Sequence, residues 1–175
     1  RAAASKPGFR DLMYFLGRFY ATSQFDYDRA MHYLENALEA AGEDASIRYW
    51  IGFVYRLRGN YTRAIEQFEK VVAMKPAYLE AYIHLGTLYT DTGDLEKVAF
   101  NYRRALEIAP YLPSIWYSLA SNLALMGNSE EAIEALRNSL RLDASTFYKL
   151  ARRDSDLASL RSLEPYRRLM EEMAP

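Results

Sequence analysis

Gly59, Gly93 and Gly127 stand 34 residues apart. Other positions keep the same register: Gly52, Gly86 and Ala120; Tyr55, Tyr89 and Leu123; Ala64, Val98 and Ala132; Phe68, Tyr102 and Leu136; and the pair Pro76 and Pro110. A period of this length marks a repeat array. Each copy is one supersecondary unit that cannot bury its apolar face alone and must stack on its neighbours. The residue types specify that unit. Small residues at Gly52, Gly86 and Ala120, and again at Ala64, Val98 and Ala132, let two helices approach closely. Glycine at Gly59, Gly93 and Gly127 ends the first helix, where a left-handed residue closes the last turn. Pro76 and Pro110 stop the second helix, and short connections force antiparallel neighbours.

This pattern resembles the tetratricopeptide repeat, a helix-turn-helix unit with the signature W-x2-L-G-x2-Y…A-x3-F…P. One copy, 45–78, reads Arg48, Ile51, Gly52, Tyr55, Ala64, Phe68 and Pro76. The next, 79–112, reads Tyr82, Leu85, Gly86, Tyr89, Val98, Tyr102 and Pro110. The last, 113–146, reads Trp116, Leu119, Ala120, Ala132 and Leu136, with Ala144 where the proline would be. A degenerate copy precedes them at 10–44, with Leu16, Gly17 and Tyr20 on its first helix and Ala30, Leu34 and Ala37 on its second. It is one residue too long between Tyr20 and Ala30, and "TSQFDYD" (Thr22 to Asp28) holds no glycine, so an elongated inter-helix loop is expected there.

Residues 1–9 read as a flexible leader. Residues 147–175 carry Leu157, Leu160 and Leu163, a break near Pro165, then Tyr166, Leu169, Met170 and Met173 at helical spacing. They read as helices that cap the array, and "DSDLASLR" is similar to the tail that follows the last unit in bacterial repeat proteins of this kind. The expected fold is all-α: a right-handed α-solenoid of four helix-turn-helix repeats with a C-terminal helical cap.

The stretch "WIGFVYRLRG" sets Trp50, Ile51, Phe53, Val54, Tyr55 and Leu57 so close together that a helix there is apolar on every side. A surface helix with one buried stripe would not need so many. The resemblance supplies a second apolar neighbour, because the first helix of each such unit also lines a concave groove for peptides or helices of partner proteins. Its groove positions fall on Tyr14, Phe15, Arg18 and Ala21; on Tyr49, Trp50, Phe53 and Arg56; on Ile83, His84 and Thr87; and on Tyr117 and Ser121. Contiguous exposed aromatics mark binding sites. The expected partner is therefore a protein or peptide with an apolar or aromatic anchor and an acidic group for Arg18 and Arg56. Chaperone adaptors of this family grip a C-terminal carboxylate with lysines, asparagines and an arginine where this chain has Tyr14, Arg18, Trp50, Glu80 and His84. An Hsp70 or Hsp90 tail is accordingly not the expected ligand. A homo-oligomer formed through the same surface or an unsealed end is the second reading, and an enzyme accessory module the third.

Composition removes several classes of chemistry. With no cysteine there is no disulfide, thiolate metal site or thiol nucleophile. A net charge of −1 supplies no field for nucleic acid, and the Arg-Arg pairs at 103–104, 152–153 and 167–168 read as solvated helix faces. No apolar run reaches the ~18 residues of a membrane span. Of two histidines, His84 stands one turn from Glu80, a spacing that suits a groove hydrogen bond better than catalysis or metal binding. No P-loop, G-x-S-x-G or H-E-x-x-H motif is present. The chain is read as non-enzymatic, with no cofactor. Its compartment stays open between cytoplasm and, had a signal peptide been removed, periplasm.

Overall fold

The computed structural model describes residues 8–174, so the expected leader lies largely outside them. It is an all-α solenoid in two compact units, residues 1–81 and 82–175. In the first, α1 (Phe9–Phe19) pairs with α2 (Tyr27–Ala41), and α3 (Ala45–Leu57) with α4 (Tyr61–Met74). Helix α5 (Leu79–Thr92) runs across the boundary. The second unit continues with α6 (Leu95–Ile108), α7 (Pro113–Leu125), α8 (Ser129–Ala151) and α9 (Glu164–Glu172).

What sets each helix pair is a small residue under a large one. A Cβ added to Gly52 would lie 3.1 Å from the Phe68 ring, and one added to Gly86 only 2.4 Å from the Tyr102 ring. Phe68 is fully buried, as are Leu34 and Leu136. Burying a side chain of that size contributes roughly 1.5–3 kcal/mol. Capping then defines where the second helices begin. Asp26, Asn60 and Asp94, again 34 apart, accept hydrogen bonds from the backbone N–H of Arg29, Arg63 and Lys97, each cap worth about 1 kcal/mol.

The extra residue of the first copy does not make a loop. It is absorbed into helix: Tyr20–Gln24 form a π-helical turn that continues α1. In the regular copies the closing bond runs from Asn60 N–H to the Tyr55 carbonyl; here it runs from Asp26 N–H to Tyr20, one residue further back. A π turn is the usual way for a helix to take in one inserted residue. Phe25 then occupies the position of Gly59, Gly93 and Gly127, and adopts their left-handed conformation at φ 53°.

The end of the last copy shows what proline was doing. Lys75 and Ala109 close α4 and α6 with φ −136°, and Asp143, the equivalent residue, has φ −155° and ψ 79° inside α8. With Ala144 in place of proline, the chain re-enters helix at once. Asp143 caps the new segment by accepting from Thr146 N–H at 3.0 Å and Ser145 Oγ at 2.7 Å. The Thr146 side chain first, then the Ser145 hydroxyl and the Thr146 N–H, hold its carboxyl below the usual range. Beyond it a 3-10 turn, Ser155–Leu160, lies on α7, while α9, with Pro165 in its first turn, lies on α8. Leu157, Leu160, Tyr166 and Leu169 are buried by that packing.

Two outcomes follow. Gly93 has φ 75°, so Gly93→Val should cost at least about 1 kcal/mol, while Phe25→Gly should shift stability the other way by a smaller amount; denaturant melts of the two variants check the pair. Removing residues 147–175 should expose the apolar flanks of α7 and α8 and produce oligomers or aggregates, read by light scattering against the intact chain.

Candidate functional site

Aromatic side chains of the first unit converge around α3. The Tyr49 ring stacks on Tyr78 at 5.1 Å, meets Trp50 edge-on at 5.8 Å and contacts Phe68 at 5.7 Å. Trp50 and Phe53 meet edge-to-face at 5.2 Å. Tyr49, Trp50 and Phe53, at i, i+1 and i+4 of one helix, lie beside the buried Ile47, Ile51 and Val54, and Trp50 packs against the core cluster those three belong to. All three rings are half-buried.

Two guanidinium groups rest on these rings. Arg18 lies 4.9 Å from the centre of the Trp50 ring and 5.5 Å from that of Tyr14, and Arg56 lies 5.1 Å from Phe53. Each such cation–π contact is worth about 0.5–1 kcal/mol where exposed. Arg56 Nε is buried without a hydrogen-bond partner among the described residues. The rings and cations expected from the sequence to meet here, Tyr14, Arg18, Tyr49, Trp50, Phe53 and Arg56, do so. Phe15 belongs elsewhere: it stacks on Phe19 at 6.4 Å and is largely exposed. Ala21, a groove position by register, is buried at the π turn.

Tyr78 is the residue that sequence reasoning missed. It follows the α4 stop at Lys75-Pro76, off the periodicity of the first helices, so no groove register reaches it. Its hydroxyl is pushed up to about 12, first by burial and then by Tyr14, Tyr49 and the Glu80 carboxylate, against the opposing hydrogen bond with Ser46. Burial also raises Tyr49, with Glu80 the next cause. These phenols are therefore neutral donors at ordinary pH.

The second unit uses its groove positions differently. Ile83 and His84 are half-buried and Thr87 is exposed, its hydroxyl donating to the Ile83 carbonyl at 3.0 Å. Tyr117 and Ser121, expected to face a partner, are instead engaged by the chain's own tail. The Tyr117 hydroxyl donates to Asp154 Oδ2 at 2.6 Å, Ser121 Oγ donates to the same oxygen at 3.3 Å, and Phe147 stacks on the Tyr117 ring at 5.1 Å. Burial, then Asp154, drives the Tyr117 hydroxyl upward. The tail motif thus has a structural reading. Asp154 also accepts from Asp156 N–H to start the 3-10 turn, Leu157 and Leu160 fill the core, and Arg161 closes back on the Asp154 carbonyl. A cavity of about 250 Å³ remains beside it, lined by Thr90, Ser118, Asn122 and Asp156 among others.

Among the described residues no group of three or more histidine, cysteine, aspartate or glutamate side chains is placed to hold a metal. No helix among them is long and apolar enough to cross a membrane. Of the arginine pairs, Arg103 pairs with Glu131, Arg104 with Glu107, and Arg167 and Arg168 with Glu164.

Models of the tetratricopeptide repeat match residues 11–44, 43–110 and 113–146. Among curated proteins, the general transcriptional corepressor trfA of Dictyostelium discoideum is 29% identical over 126 residues, covering 71% of this chain and 9% of that protein. The general transcriptional corepressor ssn6 of Schizosaccharomyces pombe is 29% identical over 120 residues, covering 67% and 11%. The chain thus spans about a tenth of the length of these relatives. Among solved structures, MamA of Desulfovibrio magneticus RS-1 aligns with a TM-score of 0.72 at 19% identity, over 93% of this chain and 94% of that one. YrrB, described as a TPR protein with an unusual peptide-binding site, aligns with a TM-score of 0.75 at 20% identity, over 92% and 80%. At these identities the likeness is one of fold.

The raised Tyr78 hydroxyl gives the aromatic cluster a pH signature. The unfolded phenol ionises near 10 and the folded one at about 12, so the contribution of this residue is fully present below about 10 and is lost as pH rises towards the folded value. Tyr78→Phe should therefore lose less stability than the wild type across that window. Alkaline unfolding curves of both proteins, with phenolate absorbance recorded in parallel, measure the difference.

Proposed function

The chain belongs to the tetratricopeptide repeat family, and on that footing we propose that it is a non-enzymatic interaction scaffold whose first unit seats a segment of a partner protein on the Tyr49, Trp50 and Phe53 rings. Proteins of this family bind protein partners. The observation that carries the reading is the meeting of part-exposed rings with guanidinium groups that form no ion pair among the described residues. A fold that needed these arginines only for its own stability would pair them, as it pairs Arg48 with Glu43 and Arg58 with Asp28.

The partner chemistry follows from that arrangement. An apolar or aromatic side chain would displace water from Trp50 and Phe53, and a neighbouring carboxylate would bridge to Arg18 or Arg56. Charge-assisted bonds of this kind are about twice as strong as neutral ones, and a planar guanidinium presents two donors to one carboxylate. Relatives described as corepressors, and a structural neighbour described as having a peptide-binding site, are consistent with a scaffold role. An amphipathic helix laying its apolar face on the rings is one recognised way of docking such a segment.

Trp50 also offers the measurement. The chain has two tryptophans, so a Trp116→Phe background leaves Trp50 as the sole tryptophan, excited apart from the tyrosines, for a screen of peptides pairing an aromatic or leucine with aspartate or glutamate. Binders should quench or shift Trp50 emission and weaken with salt. In the Trp116-containing chain, Trp50→Ala should lose about 2 kcal/mol of affinity, as central aromatic anchors do, with a small loss in melting temperature. Leu85→Ala, at a buried position, should cost roughly 2–5 kcal/mol of stability. If Trp50→Ala unfolds the protein as badly as Leu85→Ala, Trp50 is core and the reading fails.

A further inference from the structure

The cavity of about 250 Å³ in the second unit carries uncompensated negative charge. Asp154 and Asp156 both line it, and neither carboxylate forms an ion pair among the described residues. Asp154 is held by neutral donors: the Tyr117 and Ser121 hydroxyls on Oδ2 and the Asp156 N–H on Oδ1. Such bonds orient a carboxylate without cancelling its charge. Arg161 donates to the Asp154 main-chain carbonyl and not to the carboxylate. The Asp156 side chain is exposed. A second observation comes from Tyr102 of α6, which also lines the cavity. It is only 6% exposed, and its hydroxyl has no hydrogen-bond partner among the described residues. Of their side-chain polar atoms sealed from solvent, only Arg56 Nε lacks a partner. The Tyr102 oxygen is therefore not sealed and opens into the cavity. A hydroxyl on so deeply buried a ring is normally hydrogen-bonded, so one left open here marks a place for a ligand atom.

We propose that this cavity binds a basic side chain, arginine or lysine, of a partner segment. Asp154 and Asp156 hold the cation, and the Tyr102 hydroxyl accepts from one of its N–H groups. The walls suit the rest of such a side chain. Leu95 and the half-exposed Leu125 are apolar, and the Tyr102 ring adds a third apolar surface. The stem of a lysine or arginine lies along surface of this kind while its head reaches charge. The volume falls below the ~300–1,000 Å³ of pockets that take whole small molecules, and suits one side chain entering from solvent. A hard divalent cation fits less well. Calcium takes about 6–8 oxygen ligands, whereas Asp154 is already engaged by its neutral donors. Among the described residues no group of three acidic or histidine side chains converges to complete such a shell. The inference does not draw on the aromatic groove of the first unit, whose arginines call for the opposite charge.

The test is an NMR titration of the isotope-labelled chain with acetyl-Ala-Arg-Ala-amide, its lysine counterpart and its citrulline counterpart. Citrulline keeps the arginine shape without the charge. The two basic peptides should shift the backbone amides of Thr90, Ser118 and Asp156 and the side-chain amide of Asn122, with half-saturation on the order of 1 mM and weaker binding in salt. The citrulline peptide should bind about tenfold more weakly. The Asp156 side chain makes no hydrogen bond or ion pair among the described residues, so Asp156→Asn should keep its melting temperature and lose about tenfold in affinity. Tyr102→Phe should lose about threefold. Glu171→Gln, which removes an exposed carboxylate outside the cavity, should bind as the wild type does. The proposal is overturned if citrulline binds as well as arginine, if the shifts fall only on residues elsewhere in the chain, or if folded Asp156→Asn binds as tightly as the wild type. It is equally overturned if calcium chloride shifts these signals and the basic peptides do not, or if no peptide shifts them up to about 20 mM. Should either variant fail to fold, the comparison of arginine with citrulline on the intact chain decides alone.

Discussion

The seat of one large side chain over one small residue governs the rest of this structure. Gly52 under Phe68 and Gly86 under Tyr102 bring the helices of a pair so close that a single methyl group would force the ring aside. Dense interiors transmit such constraints because few voids exist to absorb them. The first copy shows how strictly the seat is kept. Its insertion lengthens the path from small residue to large from 16 to 17 positions, yet a Cβ on Gly17 would still lie 2.6 Å from Leu34. The contact is preserved and the backbone gives way, by a π turn and a phenylalanine in the left-handed region. Such strain costs of order 1 kcal/mol or more, which is less than the loss expected from uncovering a buried leucine.

The same constraint explains why α3 is apolar on all sides. Ile47, Ile51 and Val54 face α2, Gly52 faces Phe68, and that leaves Tyr49, Trp50 and Phe53 on the remaining arc. Trp50 packs against the core cluster and Tyr49 against the buried Phe68, yet all three rings stay part-exposed. They pack on one another and on Tyr78, and the Arg18 and Arg56 guanidinium groups lie within about 5 Å of the Trp50 and Phe53 rings. Long side chains of this kind cover apolar surface with their stems while carrying a charged head.

The register of small residues, glycines and prolines carried the fold in plain view, because each of those residue types answers to a backbone requirement local to its own position. Departures from register were harder to read. The missing glycine at Phe25 and the extra residue before it pointed to a loop, since nothing in a string of letters distinguishes a loop from a π turn; the distinction lies in whether Gly17 still reaches Leu34. Most of the aromatic cluster was legible, because Tyr14, Tyr49, Trp50 and Phe53 follow helix spacing. Tyr78 was not, lying in a turn outside any helix period. Nor was the fate of Tyr117 and Ser121, since their partner Asp154 is more than thirty residues away in sequence and nothing local announces the contact.

A single repeat position shows how one scaffold is put to different uses. Tyr14, Tyr49, Ile83 and Tyr117 are equivalent by register. Tyr14 lies under Arg18 and Tyr49 stacks on Tyr78, both half-buried, whereas Tyr117 is sealed by Phe147 and its hydroxyl is committed to Asp154. The helix supplies the same direction and depth each time; what differs is which chain segment arrives. Where the tail arrives, the tyrosine becomes an internal hydrogen-bond donor to a carboxylate, and its ring is stacked by a residue of the same segment. Register alone therefore does not decide whether a first-helix tyrosine is left part-exposed or is built into the fold.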